Sequence, residues 1–401
     1  MPLIKNPLTI VQQGGGGSIS DEVRFIDYDG TIVAQMSIAE AQALTALPAG
    51  PTHDILSFEG WTHTLQEVNN TDHILDIGAT YTYADDNSAT VFIWTPTANS
   101  SLKIIIDQDT ANAVKIDWGD SSAPETSSVV GSVQFMHTYS TTPSTPIKTI
   151  VSILDKNAQV MITTDSGGIK DADLVIFGKI IVGGFSMTNA NAIILSPHVD
   201  FASATGLTVF HGVNTLILPK VFSNTPNLTL NTVKTIVYPA NSPSPNLQNF
   251  YSLTRLVAPD NLSSLSVMNA YSLNELVIPN PAQDFVFYQQ SLLGTWSLTE
   301  FTVPKECTQL GARVFANTGI STLKFEDRSA MPAIDMRTVM ATSSVRLFDF
   351  SEFKQVPTMN DTNLFSQLDT AAFKIHVPAA LEASWKAAPN WSTYAANIVG
   401  V

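Results

Sequence analysis

The chain has 401 residues, enough for roughly two to four domains. Its formal net charge of −15 argues against nucleic acid or an anionic membrane surface as a partner. A single cysteine, Cys307, excludes an intrachain disulfide and a cysteine metal cluster, and reads as a small core filler.

Charged residues make up only 14 % of the chain, while Ser, Thr and Asn are abundant. That balance suits a mainly β protein with neutral polar faces; helical enzymes carry more Lys, Glu and Arg. No apolar run approaches the ~18 residues of a membrane-spanning helix. Met1 to Lys5 lacks the apolar core of a secretory signal. The expectation is a protein made in the cytoplasm and not inserted in a membrane.

Residues 1–20 divide in two. Leu8, Thr9, Ile10 and Val11 form a short strand-like peptide, and Gly14 to Gly17 with Ser18 form a flexible joint. This reads as a docking peptide on a tether, or as a plain disordered tail.

Residues 21–80 read as a small α+β module. Val23 to Val33 is a hairpin about the turn signal Asp29-Gly30. Ser37 to Leu44 is a short helix, with Ser37 and Glu40 at capping-box spacing. Phe58 to Trp61 and Leu75 to Gly78 complete the module.

Residues 81–165 alternate as strands: 90–94, 102–106, 114–118, 133–137, 147–153 and 160–163. Turn residues between them predict a β-sandwich. Trp118-Gly119-Asp120 and His137-Thr138-Tyr139 lie within it. That pair resembles the signature of PKD-type immunoglobulin-like domains. The resemblance implies a spacer or binding module, with Trp118 in the core and Gly119-Asp120 turning the strand.

Residues 166–401 read as a solenoid. Pro219, Pro239, Pro259 and Pro279 stand twenty residues apart, and each closes an apolar run such as Leu256-Val257-Ala258. Phe301-Thr302-Val303-Pro304 follows after twenty-five. An apolar residue precedes each run: Val213, Val233, Leu253, Leu273, Leu298. The text Tyr251-Ser252-Leu253 recurs as Tyr271-Ser272-Leu273 and Trp296-Ser297-Leu298. One repeat cannot bury its apolar side alone, but stacked repeats close a continuous core. Proline cannot donate to a strand ladder, so it marks where each strand ends. Leu310 to Phe315, with Ile320 and Leu323, resembles the consensus of BspA-type leucine-rich repeats; the segment from Asp327 to Phe373 departs from it. Trp385, Trp391 and Tyr394 lie in an atypical end that reads as a capping repeat.

Val23 to Ile32 also matches the first motif of haloacid-dehalogenase-type phosphatases, with Asp27 as nucleophile and Asp29 as acid/base. That chemistry needs a doubly wound parallel fold and distant partners, which the following strands do not offer; turn chemistry is the preferred reading. His53, His63 and His73 fit no common ligand spacing. Asp85-Asp86 and Asp107 to Asp109 read as solvated turn carboxylates, with calcium as the alternative. No phosphate loop and no nucleophile elbow is present. The chain therefore reads as non-enzymatic, with no catalytic residue, metal or cofactor.

The outward column of the solenoid is Ile217, Val237, Val257 and Val277. Four stacked apolar residues are unusual on a free surface. They are expected to be covered by a second copy of the chain; adjacent loops or the sandwich are the other candidates.

As a whole, the arrangement resembles bacteriophage structural proteins of the tail-fibre or baseplate kind. The residues that carry this are the Gly-rich start, Phe25 to Thr31, Phe58 to Trp61, the Trp118-Gly119-Asp120 sandwich and the repeats. The resemblance implies a homotrimeric virion protein. Its N-terminus would dock on another virion protein, and its solenoid would bind a host cell-surface glycan or protein. A capsid-attached head fibre or decoration protein, and a bacterial surface adhesin, are the alternatives.

Overall fold

The computed structural model describes residues 22–401 apart from 165–168, 170, 201–205, 219–227, 231, 241, 243–246, 248, 336–337, 340–343, 361, 363 and 366–367. The chain is mainly β, with 38 % strand, 7 % helix and a C-terminal β-solenoid of about nine turns. The proposed docking residues Leu8, Thr9, Ile10 and Val11 lie outside the described residues.

The N-terminal module begins with β1 (Glu22–Ile26) and β2 (Ile32–Ser37), which pair antiparallel. Gly30 closes the turn at φ +91°, a conformation that a side chain resists. Ser37 caps α1 (Ile38–Gln42), and the Glu40 carboxylate accepts the Ser37 N–H at 2.8 Å, completing the capping box. β3 (Leu56–Trp61), α2 (Leu65–Asn69) and β4 (Leu75–Tyr83) follow. A second capping box, Thr64 with Glu67, starts α2, a helix absent from the sequence reading. The sheet runs β2-β1-β4-β3, with β4 parallel to β1 and antiparallel to β3.

Two sheets follow, built from β5 (Thr90–Trp94), β6 (Ser101–Gln108), β7 (Val114–Asp117), β8 (Glu125–Thr126), β9 (Gly131–Thr138), β10 (Ile147–Ile153) and β11 (Val160–Thr164). β10 pairs with β5 and β7, and β6 pairs with β9 and β11, all antiparallel. Strand alternation turns Phe92, Ile104, Ile116, Val151 and Ile162, from both sheets, into one core with Trp118.

That core does not stop at these two sheets. β12 (Asp171–Phe177) pairs antiparallel with β5. The sheet of β5 therefore continues into the first coils, through β14 (Gly184–Ala190), β15 (Ile193–Leu195) and β16 (Gly206–His211), to β18 below, while β13 (Ile181–Val182) extends the other sheet by pairing parallel with β11. β17 (Thr215–Ile217), β18 (Leu228–Leu230), β19 (Thr235–Val237), β20 (Arg255–Val257) and β21 (Glu275–Val277) come next. β17, β19, β20 and β21 stack parallel with Leu216, Ile236, Leu256 and Leu276 in register. A constant twenty-residue period gives that register, because each coil returns the chain to the same rung.

The later coils carry strands in two parallel sheets. β22 (Phe285–Phe287), β24 (Cys307–Leu310) and β26 (Ala333–Ile334) form one, with β23 (Glu300–Val303) and β25 (Thr322–Phe325) interleaved in the chain. β23 and β25 join β27 (Leu347–Asp349), β28 (Lys374–Val377) and β29 (Ile398–Gly400) in the other. Between β28 and β29, α3 (Glu382–Ala387) and a short 3-10 turn lay Trp385 and Trp391 over the last coils. Their rings pack on Phe350 at 5.2 and 5.4 Å, which closes the apolar end of the stack.

The outward stripe is covered, but by the chain itself. Leu216, Leu218, Ile236, Tyr238, Leu256 and Ala258 point into the solenoid core as the alternation requires. Ile217, Val237 and Val257 are also buried, and Val277 is half-buried. Ile217 and Val237 pack with Ile26 and Tyr28 of the N-terminal module. Gly78 in β4 makes the approach possible: a Cβ there would lie 2.4 Å from Ile217 Cγ2. Of the four residues expected to face a second copy, Ile217 and Val237 therefore meet the N-terminal module instead, Val257 is also buried within the chain, and Val277 stays half-buried. The physical reason is that the module's sheet has two faces to bury, and Arg24, Ile26, Asp76 and Gly78 share the one turned to the solenoid. Asp76 accepts Nε and Nη2 of Arg24 at 2.8 and 2.7 Å and Nε of Arg255 at 3.2 Å, while Arg255 also pairs with Glu275.

Candidate functional site

The carboxylates of the phosphatase-like motif are held apart in role. Asp27 is buried and accepts the Tyr28 N–H at 2.7 Å and the Tyr81 hydroxyl at 2.7 Å; its other oxygen meets His53 Nε2 at 2.9 Å. Burial, and then Asp27, push the Tyr81 hydroxyl far above its ordinary range. Burial, with Asp29 and Asp27 beside it, pushes Tyr28 up to about 12. Both rings therefore stay protonated, and Tyr81 serves as a donor that fixes Asp27. Asp29 is exposed, and its Oδ1 accepts the Thr31 N–H at 2.9 Å, which is turn chemistry.

The other sequence candidates are also tied into local structure. His53 joins Asp27, His63 meets Thr62, and His73 lies 2.9 Å from Asp72 and 3.5 Å from Asp260, so the three face separate partners. Asp85 accepts from Tyr83, Asp86 pairs with Lys156 at 2.9 Å, and Asp109 accepts the Gln159 N–H at 3.1 Å. Between the two antiparallel sheets, Trp118 is fully buried and stacks on His137 at 4.9 Å and 12°. His137 Nε2 lies 2.7 Å from Asp120, and the Tyr139 hydroxyl donates to the Trp118 carbonyl at 3.3 Å. Gly119 sits at φ +81° with the Lys148 carbonyl where a Cβ would be, at 2.3 Å.

A different feature stands out on the solenoid surface. Tyr251, Tyr271 and Trp296 are 39 %, 45 % and 65 % exposed, although each lies two residues before a buried leucine: Leu253, Leu273 or Leu298. The Tyr251 and Tyr271 rings stack with centroids 5.1 Å apart at 21°. Trp296 continues the row, 6.2 Å from Tyr271 and turned by 70°.

The coil backbone sets this row. Asn249, Asn269 and Gly294 each precede their aromatic residue by two positions and take φ +65°, +61° and +80°. That left-handed step turns the chain, so the aromatic points out while the leucine behind it points in. A Cβ on Gly294 would lie 2.8 Å from Asn269 Oδ1 and 3.4 Å from Tyr271 Cε1. Coil-to-coil bonds hold the spacing: Ser272 N–H donates to the Tyr251 carbonyl at 3.3 Å and Ser297 N–H to the Tyr271 carbonyl at 3.2 Å. The Ser297 hydroxyl reaches the same Tyr271 carbonyl at 2.8 Å. Beside the rings, Asn269 Nδ2 donates to Asn249 Oδ1 at 3.0 Å. The three rungs, 249–253, 269–273 and 294–298, contain no charged residue.

The repeat text Tyr-Ser-Leu and Trp-Ser-Leu is visible in the sequence, where it marks the repeat and not the direction of its rings. The signal that could have found the row is an aromatic two residues before each core leucine, preceded two residues earlier by Asn or Gly. No family model matches the chain, and no curated protein matches it either.

Proposed function

We propose that this chain is a non-enzymatic structural protein of the bacteriophage tail-fibre or baseplate kind, displaying its solenoid for attachment to a host surface. The observation that supports this reading best is the row Tyr251, Tyr271 and Trp296, exposed on a rigid array of coils. Exposed rings in a fixed register offer contact area at little entropic cost, as binding surfaces require. On this reading the sandwich is an immunoglobulin-like spacer of the PKD type and the coils are leucine-rich repeats of the BspA type. The N-terminal residues Leu8 to Val11 dock on another virion protein. Assembly as a homotrimer belongs to the same proposal, through a face other than the covered stripe.

Immunogold electron microscopy of particles from a producing lysate, with antibody to the solenoid, tests the assignment. Label at the tail tip is the expected result. Label over the capsid would move the protein to head decoration, and absence of label from particles would remove the virion reading.

A further inference from the structure

We propose that Tyr251, Tyr271 and Trp296 form a stacking site for a neutral saccharide chain lying along the solenoid axis, a specificity that rests on the host-attachment reading. The ring geometry comes first. At 65 % exposure, Trp296 keeps at least one indole face in solvent. That face carries the negative lobe of the ring quadrupole, which attracts the partly positive C–H groups on the face of a sugar ring. Tyr251 and Tyr271 stack on each other, so the two faces between them are closed to a ligand, while their edges and hydroxyls stay accessible. They would act as rigid posts whose phenol groups meet sugar hydroxyls while Trp296 takes a ring face.

The polar surroundings match the same ligand. Asn249 and Asn269 supply amides next to the rings, and Ser252, Ser272 and Ser297 follow them on each coil. A sugar needs few, well-placed neutral donors and acceptors around an aromatic platform. Strand stacking sets the coils about 4.8 Å apart, comparable to the length of one sugar ring, so successive rungs can meet successive residues of an extended chain.

Other occupants fit less well. Nucleobases also stack on aromatic rows, but single strands need cationic tracks for their phosphates. These rungs carry no Lys or Arg, and the chain's net charge is −15. A stable protein partner covers about 800 Å² per side around apolar anchors. Three rings flanked by Asn and Ser provide neither that area nor an aliphatic centre. The uncharged rungs likewise offer no cation for an acidic polysaccharide.

The test uses the full chain on an array of neutral and acidic bacterial polysaccharides, with Trp296→Ala, Tyr271→Ala and Tyr288→Ala beside it. Tyr288 is 63 % exposed and has no part in the row, so its variant is the control. Binding to one or more neutral polysaccharides is expected, weakened at least tenfold by Trp296→Ala and Tyr271→Ala and unchanged by Tyr288→Ala. Unchanged melting of the three variants would show that the effect is local. Binding to acidic polysaccharides alone, binding to none, or equal binding by Trp296→Ala would overturn the assignment. Particle labelling with no glycan binding would remove the ligand and keep the virion reading; glycan binding without particle labelling would do the reverse.

Discussion

The Asp76 carboxylate meets the Arg255 guanidinium at 3.2 Å, joining residues 179 positions apart. Asp76 belongs to β4 and Arg255 to β20, so this contact pins the N-terminal module to the solenoid. Side-chain exposure is 3 % for Asp76 and 9 % for Arg255. Asp76→Ala strips the acceptor from Arg255 and from Arg24 at once, leaving the buried Arg255 with Glu275 alone and the half-buried Arg24 without its carboxylate. A loss of about 3–5 kcal/mol is expected, because removing one member of a buried pair leaves the desolvation penalty in place. Urea unfolding measures it. A loss below about 1 kcal/mol would mean that the pair behaves as an exposed one.

Gly78 and Ile217 make the apolar counterpart of that contact. Gly78→Ala places a Cβ 2.4 Å from Ile217 Cγ2. Overpacking should cost about 1–3 kcal/mol. Ile217→Ala removes the obstructing atom, so the double variant should be more stable than the sum of the two single losses predicts. Strict additivity in a double-mutant cycle would show that the two sheets do not press on each other here.

The same contact changes what stripe variants report. Val237 is fully buried, so Val237→Asp should lower the melting temperature sharply by burying an unpaired carboxylate. An intact melting temperature with a smaller oligomeric mass, measured by light scattering, would restore the inter-copy interface.

The solenoid was legible because its period is written in the chain. Prolines every twenty residues and leucines at Leu253, Leu273 and Leu298 repeat one environment, and in-register stacking demands that. Strand alternation accounts in the same way for the inward side chains from Leu216 to Ala258. The cover of Ile217 and Val237 was not legible, since it depends on which distant element docks, and nothing local to the repeats names β1 or β4. Continuity of the β5 sheet with the solenoid was hidden likewise, in the pairing of β12 with β5. The aromatic row was half legible. Tyr251 and Tyr271 are visible in the text, but a place two residues before a core leucine does not say which way the ring points. The left-handed turns at Asn249 and Asn269 decide the direction.

Cys307 tests the packing of the later coils. It is buried, and desolvation pushes its thiol up to about 11, with Arg328 only partly opposing the shift. Thiolate is the reactive form. A thiol-specific colorimetric reagent at pH 8 should therefore leave the native chain unmodified for hours and react fully once urea unfolds it. Rapid labelling of the native chain would mean that these coils open.

The turn after β7 carries the clearest acid dependence. Burial pushes the Asp120 carboxyl up, but hydrogen bonds from Ser122 and His137 outweigh it and hold the group at about 2, below its ordinary 3.8. A group with a depressed folded pKa binds fewer protons folded than unfolded, so stability rises with pH across that interval. Its contribution is complete above pH 3.8 and is lost as pH falls through about 2. Asp120→Asn keeps the side-chain shape and cannot ionise. The variant should be less stable than the native chain at pH 5, and the difference should shrink toward pH 2, as followed by urea midpoints. The His137–Asp120 bond also holds the imidazole stacked on Trp118, so near-ultraviolet dichroism of the indole should change with the same pH dependence. A difference between the two chains that stays constant from pH 5 to pH 2 would place the acid sensitivity on another carboxylate.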